Sequence, residues 1–499
     1  MRKIRTFIAL AVFVLINLLF LDFSGTLHAW LGWLAKIQFL PAVLALNVGV
    51  ILLLVALTLL FGRIYCSVIC PLGIFQDGIA WIGRRGKKLP YHHSPALSWL
   101  RYGVLVLFIG ALVAGVGSLV ALLAPYSAYG RIANNLLQPV WIGINNLLAQ
   151  AAERMNSYAF YEQEVWLKSL PTLLVAVVTL LVVVVLAWRG GRTYCNTICP
   201  VGTVLGFISR FSLFKVTIDL EKCNSCGLCS RHCKASCINS KEHQIDYSRC
   251  VVCFDCLDHC KHHALRYVPV WKSTKKTASE TSTAPADPTR RRVLSATAVV
   301  AASSVLQAQK KEVFIPKDGG LTPIKERKQH KRQTPLVPPG SLGLRNMAQH
   351  CTACQLCVSV CPNQVLRPSG DLLTMMQPVM SYEQGYCRPE CTKCSEVCPA
   401  GAIRPITRAD KTAIQIGHAV WRKGHCVPVT DGKECGNCAR HCPVQAIQMV
   451  PLHPDQPDSV KIPVVNEERC IGCGACENLC PARPLAAIYV EGHEQHRNL

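Results

Sequence analysis

The sequence lacks the motifs by which the common classes of soluble enzyme bind nucleotides or hydrolyse peptides. It contains no P-loop, no glycine fingerprint for a dinucleotide and no His-Glu-x-x-His helix of a metalloprotease. Acidic residues are also scarce, since 30 Asp and Glu face 53 Lys and Arg and the formal net charge is +23. These absences argue against a conventional substrate pocket and leave the positive charge to be explained.

Cysteine, by contrast, is unusually frequent, with 29 in 499 residues. Most of these cysteines fall in Cys-x-x-Cys-x-x-Cys runs, whose closely spaced sulfurs suit a compact metal cluster. Disulfide-rich domains are usually much smaller than this chain. The length, together with a hydrophobic content of 50%, also excludes a single globular domain. The cysteines therefore predict metal sites rather than disulfides.

Two such runs lie near the middle of the chain. Their spacing is that of bacterial ferredoxins with two [4Fe-4S] clusters, in which the fourth cysteine of each run binds the cluster of the other. A zinc ribbon also uses Cys-x-x-Cys pairs, but it does not need four cysteines at these intervals. The predicted ligands are Cys223, Cys226, Cys229, Cys233, Cys250, Cys253, Cys256 and Cys260.

This pair of runs departs from the usual pattern. Lys234 and Lys261 replace the proline that ordinarily follows the fourth cysteine. The substitutions predict a change in local geometry or in cluster potential. Cys237 is an additional thiol four residues beyond Cys233. It could replace a ligand, but we interpret it as a bystander.

The last 150 residues contain four more runs, and each ends in Cys-Pro. The outer two have regular spacing, whereas the inner two are stretched. Sixteen cysteines suffice for four cubanes. Because stretched inner runs are flanked by regular outer ones, we expect clusters to be shared between runs that are not adjacent. The predicted ligands are Cys351, Cys354, Cys357, Cys361, Cys387, Cys391, Cys394, Cys398, Cys426, Cys435, Cys438, Cys442, Cys470, Cys473, Cys476 and Cys480.

Four apolar segments in the first half of the chain are long enough, or nearly so, to cross a bilayer. They cover about residues 6–23, 39–61, 102–124 and 170–188. Basic residues are concentrated at the N-terminus and after the second and fourth segments. By the positive-inside rule these parts face the cytoplasm. The sequence thus predicts a bundle of four membrane helices whose even-numbered members end at the cytoplasmic side.

The sequence GRIYCSVICPLG at 62–73 recurs as GRTYCNTICPVG at 191–202, where the second and fourth apolar segments end. Such a duplication would set the two cysteine pairs around a pseudo-two-fold axis. The i, i+4 spacing could place both sulfurs of a pair on one helical face. The proline after the second cysteine favours a turn and a new helix.

The four thiols of the duplicated motif are open to three interpretations. They could bind a metal or a cluster, they could cycle between thiol and disulfide beside a quinone, or they could pack a tight turn. Because the spacing is duplicated, we favour a redox or metal function over packing, without choosing between the first two. The residues concerned are Cys66, Cys70, Cys195 and Cys199.

The two groups of ferredoxin-type runs are separated by a segment of linker composition, rich in Ser, Thr, Ala, Lys and Pro. Within it, an arginine run precedes a weakly apolar stretch at 290–308 that resembles a twin-arginine export signal. A domain that acquires clusters in the cytoplasm must cross the membrane already folded, so the signal predicts export of the C-terminal module. If the signal is retained, it forms a fifth anchor. The alternative is a cytoplasmic linker helix.

The excess of positive charge fits this organisation without a nucleic acid partner. Several basic residues flank apolar segments, where they orient the chain. Each [4Fe-4S] cluster with four thiolates carries about −2 when oxidised, so six clusters would offset about twelve positive charges.

Taken together, these motifs resemble a group of bacterial membrane ferredoxins. Residues 1–270, with two Cys-x-x-x-Cys-Pro pairs and two ferredoxin runs, resemble NapH, MauN and the membrane core of NosR. Residues 289–480, with the twin-arginine-like stretch and the stretched cysteine intervals, are similar to NapG and MauM. The resemblance implies a fusion of the two components, and a path for electrons from membrane quinol to a periplasmic acceptor.

The expected fold class is an α-helical membrane bundle of four helices, with room for a fifth, plus two small α+β iron–sulfur modules of the bacterial ferredoxin type. We expect a membrane domain at 1–215, a two-cluster domain at 216–268, a linker at 269–345 and a four-cluster domain at 346–490. The expected location is the cytoplasmic (inner) membrane of a bacterium, with the first module cytoplasmic and the C-terminal module periplasmic.

The sequence is compatible with three functions. The favoured one is an electron relay, with about six [4Fe-4S] clusters, between the quinone pool and a redox partner such as a periplasmic reductase or cytochrome. The second is a quinol-oxidising subunit that uses the thiols of the duplicated motif. The third is a maturation factor for a metalloenzyme. No catalytic residue is assigned.

Overall fold

The computed structural model describes residues 1–499 except 23–24, 85–89, 158–159, 164–167, 273–316, 319–321, 324–326 and 457–458. Its described parts form an N-terminal helical domain and two smaller modules with short strands. The twin-arginine-like stretch at 290–308 and much of the predicted linker lie outside the described residues.

The helical domain is built from apolar sequence that is broken at glycine, proline and asparagine. Its helices are α1 (Arg2–Leu21), α2 (Thr26–Leu31), α3 (Trp33–Lys36), α4 (Phe39–Leu44), α5 (Val48–Phe61), α6 (Ile64–Val68), α7 (Pro71–Ile82), α8 (Ser98–Val113), α9 (Gly117–Leu123), α10 (Pro125–Ile132), α11 (Gln138–Arg154), α12 (Leu170–Gly190), α13 (Thr193–Thr197) and α14 (Pro200–Ser209), with a π-helical turn at Ala133–Leu137.

Two of these helices, α1 and α12, are long and apolar enough to cross a membrane by length and composition, while α5 and α8 are shorter apolar helices. The expectation of unbroken helices over 39–61 and 102–124 is wrong. The first is interrupted between α4 and α5, where Leu46 has a φ of 52°, and the second between α8 and α9, where Gly115 has a φ of 72°. Left-handed backbone ends a right-handed helix. The four-helix membrane bundle therefore stays a prediction.

The N-module, residues 214–272, follows α14 directly. Two antiparallel strand pairs, β1 with β4 and β2 with β3, frame two short helices that each carry a cysteine. The elements are β1 (Phe214–Ile218), α15 (Leu228–Arg231), β2 (Ile238–Asn239), β3 (Gln244–Ile245), α16 (Asp255–His259), β4 (Leu265–Pro269) and a 3-10 turn at Val270–Lys272.

The C-module, residues 327–499, repeats this pattern on a larger scale. Strand pairs β7–β8, β10–β11 and β9–β12 are all antiparallel. After a short pair, β5 (Lys317–Asp318) and β6 (Thr322–Pro323), the elements are α17 (Leu344–His350), α18 (Leu356–Ser359), β7 (Leu366–Pro368), β8 (Pro378–Met380), α19 (Lys393–Glu396), α20 (Arg408–Ala413), β9 (Ile414–Trp421), α21 (Val427–Thr430), α22 (Asn437–Arg440), β10 (Ile447–Pro451), β11 (Lys461–Val465), α23 (Ala475–Asn478) and β12 (Ile488–Asn498), with 3-10 turns at Lys423–His425 and Glu467–Arg469.

The two modules contact opposite ends of the helical domain. At the start of α5, Ala45 faces Gly401 of the C-module, and at its end Gly62 faces Val252 of the N-module. The first long helix behaves in the same way. Arg2 at its start pairs with Asp255 of the N-module, while Gly25, just beyond its end, faces Lys393 of the C-module. The helices therefore run from one module to the other.

Candidate metal centres

In the N-module, the eight predicted ligands divide into two sets that exchange their fourth cysteine. Cys223, Cys226, Cys229 and Cys260 line one cavity of about 380 Å³, which we call site 1. Cys233, Cys250, Cys253 and Cys256 line another of about 370 Å³, which we call site 2. This exchange is the ligand pattern that the sequence predicts for two cubanes.

Cys237 also lies at site 2, beside the predicted ligands, and its interpretation as a bystander stays a prediction. Its Sγ is 3.5 Å from that of Cys233. A hydrogen bond with the Cys237 thiol lowers the pKa of Cys233 to about 7. The same hydrogen bond, together with one to Cys250, raises the pKa of Cys237. Site 2 therefore has a fifth thiol within hydrogen-bond distance of a predicted ligand.

In the C-module, the sixteen predicted ligands pair between adjacent runs, so the expectation of sharing between non-adjacent runs is wrong. Cys361 joins the next run along the chain to line one cavity of about 410 Å³. Each of the other three sets combines three thiols of one run with the last thiol of the neighbouring run. Electrostatic interactions among the four thiols identify each set. The sets are site 3 (Cys351, Cys354, Cys357, Cys398), site 4 (Cys361, Cys387, Cys391, Cys394), site 5 (Cys442, Cys470, Cys473, Cys476) and site 6 (Cys426, Cys435, Cys438, Cys480).

The four regular runs share a backbone signature that the stretched runs lack. The second and fourth residues after the first cysteine have positive φ, as at Ala353 (53°) and Gln355 (64°) or at Gly472 (76°) and Gly474 (79°). For residues other than glycine this conformation is uncommon and marks functional backbone. It turns the peptide between the cysteines, so that three sulfurs face one cavity.

Backbone amides direct N–H groups at several of these sulfurs. Ala446 donates to Cys442 Sγ and Ala487 to Cys480 Sγ, each at 3.2 Å. Ile403 donates to Cys398 Sγ at 3.4 Å. N–H groups that point at sulfur stabilise thiolate, the form that binds iron, and they raise cluster potentials.

Burial has the opposite effect on the metal-free thiols. It raises the pKa of Cys229 to about 11 and those of Cys438 and Cys473 to about 12. Such thiols keep their protons at pH 7 unless a metal replaces them, so that metal binding releases protons. Four thiols around one cavity fit a cubane, and the residues present could hold six of them. In the described part of the chain, no three His, Cys, Asp or Glu side chains are grouped to hold a single metal ion.

The six sites form two series. In the N-module, Cys256 of site 2 interacts with Cys229 of site 1. In the C-module, contacts link site 3 to site 4 through Cys357 and Cys394, and site 5 to site 6 through Cys476 and Cys438. Between sites 4 and 5, the amide of Cys387 donates to the carbonyl of Cys473 at 3.0 Å. The spatial order in the C-module is therefore 3, 4, 5, 6.

The duplicated motif brings the remaining four predicted thiols together. Each of Cys66, Cys70, Cys195 and Cys199 interacts electrostatically with all three others. We call this set the central quartet. All four are buried. Cys70 and Cys199 are the N-cap residues of α7 and α14, each followed by proline at the first helical position. The turn and new helix that the proline predicts are therefore confirmed, whereas the placement of both sulfurs on one helical face is wrong.

Arginines of the duplicated motif tie the two copies together. Arg63 donates to the carbonyl of Cys195 at 3.2 Å, and Arg192 donates to the carbonyl of Cys66 at 2.7 Å. Arg63 also approaches Cys66 Sγ at 3.8 Å. The Gly-Arg pair that opens each copy was the available signal for these residues, but sequence reasoning counted its arginines only toward membrane orientation.

The central quartet lies between sites 2 and 3. On one side Arg63 donates to the carbonyl of Ser248, two residues before Cys250 of site 2. On the other side Tyr194 interacts with Cys199 and with Arg131 of α10. The same helix reaches site 3, because Tyr126 interacts with Cys354 and a Cβ at Gly130 would collide with the carbonyl oxygen of Cys354.

Lys234, one of the two lysines in place of proline, joins the N-module to the helical domain. Its Nζ is 2.9 Å from Asp255 and 3.7 Å from Asp77 of α7. Its carbonyl accepts the amide of Arg192 at 2.9 Å. Lys261, at the same place in the other run, is exposed.

Families of iron–sulfur domains match most of the cysteine-bearing sequence. One described as "4Fe-4S binding domain" matches residues 43–90 and 172–219. Two described as "4Fe-4S dicluster domain" match 350–405 with 433–483, and 246–365. The predicted iron–sulfur character is therefore confirmed.

Named relatives match about a third of the chain. MauM from Methylobacillus flagellatus and from Methylorubrum extorquens, each a "methylamine utilization ferredoxin-type protein", is 32% identical over 152 and 156 residues. The chain spans 64% and 67% of the length of those two relatives. The matched residues make up 30% and 29% of this chain.

Two ferredoxin-type proteins of Escherichia coli are also similar. NapF is 29% identical over 165 residues, which cover 33% of this chain and 90% of NapF. NapG is 29% identical over 156 residues, which cover 29% of this chain and 65% of NapG. No solved structure matches the chain. The similarity to MauM and NapG is confirmed by these matches, while that to NapH, MauN and NosR stays a prediction.

Proposed function

We propose, on the premise that the C-terminal part of this chain belongs to the ferredoxin-type family of MauM, that the protein is a membrane-bound iron–sulfur relay. It would carry electrons between the quinone pool and a redox partner through six [4Fe-4S] clusters at sites 1 to 6. The observation that carries the proposal is the placement of sites 1 and 2 at one end of the helical domain and of sites 3 to 6 at the other, with the central quartet between them.

The residues of the chain have a limited task in such a relay. When bound, the clusters supply one-electron transfer. The protein holds them in series, excludes water and sets the charge around them. The two sites of the N-module differ in access, since Cys226 of site 1 is exposed whereas three of the four cysteines at site 2 are at least nine-tenths buried. Site 1 is therefore the point where one redox partner would exchange electrons, and site 6 is the last position of the series at the other end.

A bilayer around the helical domain is supported by helix length and by the outer surface. At 1.5 Å per residue the 20 residues of α1 cover about 30 Å, which is the thickness of a hydrocarbon core. Large apolar side chains are exposed on α1, α5, α8 and α12, in numbers that a soluble surface rarely tolerates. Examples are Phe7 (73%), Leu52 (63%), Val106 (70%), Val113 (78%) and Leu181 (57%).

Orientation follows from charge. Arg2, Lys3 and Arg5 lie at the end of α1 that contacts the N-module, so the positive-inside rule puts the N-module in the cytoplasm and the C-module in the periplasm. The twin-arginine-like stretch at 290–308 supports the same arrangement. The proposal that the quinone pool exchanges electrons with the relay rests on the resemblance of residues 1–270 to NapH and MauN.

A topology experiment tests the proposal. A periplasm-dependent reporter such as alkaline phosphatase is fused after Leu499 and, as the matched control, after Lys272 at the end of the N-module. We expect activity only from the fusion after Leu499. A cytoplasm-dependent fluorescent reporter should give the reverse pattern. If both fusion points report the same side, the relay does not cross the membrane and the proposal is wrong.

The donor is tested separately, in membranes that contain the full chain. Addition of a quinol should bleach the visible absorbance of the clusters, because reduction removes sulfur-to-iron charge-transfer intensity. If dithionite bleaches the clusters and quinol does not, the quinone pool is not the donor. A maturation factor would differ again, since its partner would stay inactive when the chain is absent only during synthesis.

A further inference from the structure

We infer that the central quartet holds a seventh iron–sulfur cluster, a single one shared by the two copies of the duplicated motif. Seven sets of four account for all but one of the 29 cysteines, and the remaining one is Cys237. The two segments matched as "4Fe-4S binding domain" contain these four cysteines and no other. Neither copy supplies more than two thiols, so one complete ligand set needs both.

The first structural reason is that every sulfur of the quartet is approached by an N–H group. Gln76 Nε2 donates to Cys195 Sγ at 3.2 Å and the amide of Gly202 to Cys199 Sγ at 3.3 Å. The amide of Gly73 donates to Cys70, and Arg63 Nη2 is 3.8 Å from Cys66 Sγ. Four sulfurs that only accept are expected for thiolates on iron, and the same contacts occur at sites 3, 5 and 6.

The second reason is charge. Arg63, Arg131 and Arg192 are fully buried, each at 0% exposure. Within the described residues only Arg192 has a carboxylate partner, Asp77. Arg63 contacts the carbonyls of Cys195 and Ser248 and the amide oxygen of Asn196.

Arg131 is the least compensated of the three. It donates to the carbonyl of Ala121 at 2.5 Å, and its Nε and second terminal nitrogen have no hydrogen-bond partner in the part of the chain that the structure describes. A buried cation without a counter-charge is strongly unfavourable. Neutral thiols or disulfides at the quartet would leave that cost in place.

A cluster on four thiolates supplies the missing negative charge. Two-iron and four-iron clusters both take four cysteines, and both carry about −2 with them when oxidised. Arg63, which approaches Cys66 Sγ, and Arg131, which interacts with Tyr194 of the second copy, would then offset that charge inside the helical domain. Zinc on four thiolates has the same charge but no redox role, so the metal must be identified by measurement.

This position deepens the proposed relay and rests on it. Site 2 lies on one side of the quartet and site 3 on the other, as the contacts of Arg63 and α10 show. A one-electron carrier at the quartet takes up one electron from one neighbour and releases one to the other. No bond or proton is exchanged in that step. The quartet then joins the two series into one path.

The first experiment counts metal and sulfide in the full chain, purified anaerobically in detergent. Six cubanes account for about 24 iron atoms. We expect two or four more in the unmodified chain, and loss of only that excess when Cys66, Cys70, Cys195 and Cys199 are all changed to serine. Cys237→Ser is the matched control and should keep the full count. Equal counts in the unmodified and four-serine chains, or zinc at the quartet, would overturn the inference while leaving sites 1 to 6 intact. An unmodified chain with far fewer than 24 would instead overturn the proposed relay.

The second experiment does not require loss of a cysteine. Gln76→Leu copies Leu205, which occupies the same position after the second copy, and should be tolerated. It removes one N–H from Cys195, so the midpoint potential of one cluster should become more negative in an EPR-monitored titration while the others stay unchanged. If no signal shifts in a correctly folded variant, the quartet holds no cluster.

Discussion

The two copies of the duplicated motif have nearly the same sequence and backbone but different surroundings. Gly62 and Gly191 open them with φ values of 75° and 68°, and each second cysteine precedes a proline that begins a helix. Each arginine reaches across to a carbonyl of the other copy. The difference lies in the counter-charge, because Arg192 pairs with Asp77 at 2.8 Å whereas Arg63 has polar but uncharged partners.

This asymmetry arises from a single position. Asp77 follows the second cysteine of the first copy by seven residues, and the same position after the second copy is Gly206. A side chain at Gly206 would collide with Arg101 and the carbonyl of Ser248. The positions that the two copies share therefore supply the four thiols. Of the positions that differ, Gly206 allows close contact with Ser248 of the N-module, and Asp77 provides the carboxylate that pairs with Arg192.

The largest effect is expected from removing the paired arginine. Arg192→Gln leaves the buried Asp77 with only Arg5 and Lys234, at 3.3 and 3.7 Å, and should destabilise the chain by about 3 kcal/mol. Thermal unfolding in detergent measures it. Arg63→Gln should cost less, because it strands no carboxylate. Adding Asp77→Asn to Arg192→Gln should recover part of the loss, and no recovery would contradict the assigned pair.

The next effect is expected from the glycines after the two Cys-Pro steps, where the copies should respond alike. In Gly73→Ala the new methyl group would collide with the carbonyl of Cys66 and lie 2.5 Å from Arg192. In Gly202→Ala it would collide with the carbonyl of Cys195 and lie 2.8 Å from Arg63. Each should cost about 1–3 kcal/mol and reduce iron content at the quartet. Gly78→Ala, where no atom of the described residues lies within 4 Å of the new methyl group, is the control. Unequal losses would show that the copies are not equivalent.

A smaller effect is expected at the N-module contact. Lys234→Met removes the ion pairs to Asp255 and Asp77 and should weaken docking by about 1 kcal/mol, because the lysine is 18% exposed and solvent screens part of the interaction. Limited proteolysis between α14 and β1 measures it. Lys261→Met changes the equivalent lysine of the other run and should have no effect. Equal sensitivity of the two variants would contradict a docking role for Lys234.

The smallest effect concerns pH. Burial acts to raise the pKa of Asp77, but the charges of Arg192, Lys234 and Arg5 outweigh it and hold that pKa below its usual 3.8. A depressed carboxylate pKa contributes stability above pH 3.8 that is lost as pH falls through the folded value. Unfolding midpoints should therefore not change through Asp77 between pH 8 and 5. Below pH 4 the unmodified chain should lose stability faster than Asp77→Asn, and parallel curves there would show that the pair is not charged.

Cysteine spacing was sufficient to predict every ligand set in the N-module, because three of the four ligands of each cubane lie in one Cys-x-x-Cys-x-x-Cys run. The same reasoning failed in the C-module, where sites 3 and 4 draw on the adjacent runs around Cys351 and Cys387, and sites 5 and 6 on those around Cys426 and Cys470. Stretched spacing says nothing about which neighbouring run supplies the fourth thiol. Strand pairing, such as β7 with β8 between the first two runs, returns the chain to the same cavity.

By itself, the sequence determined the number and kind of ligands, the duplication and the apolar segments, because these depend on residues close together along the chain. Only the tertiary structure decided that four distant thiols form the central quartet and that the modules occupy opposite ends of the helices. It also decided that Arg63 and Arg131 are buried with no carboxylate partner among the described residues. These features depend on how helices separated by more than a hundred residues pack, and the spacing of residues within a short stretch of sequence does not specify that packing.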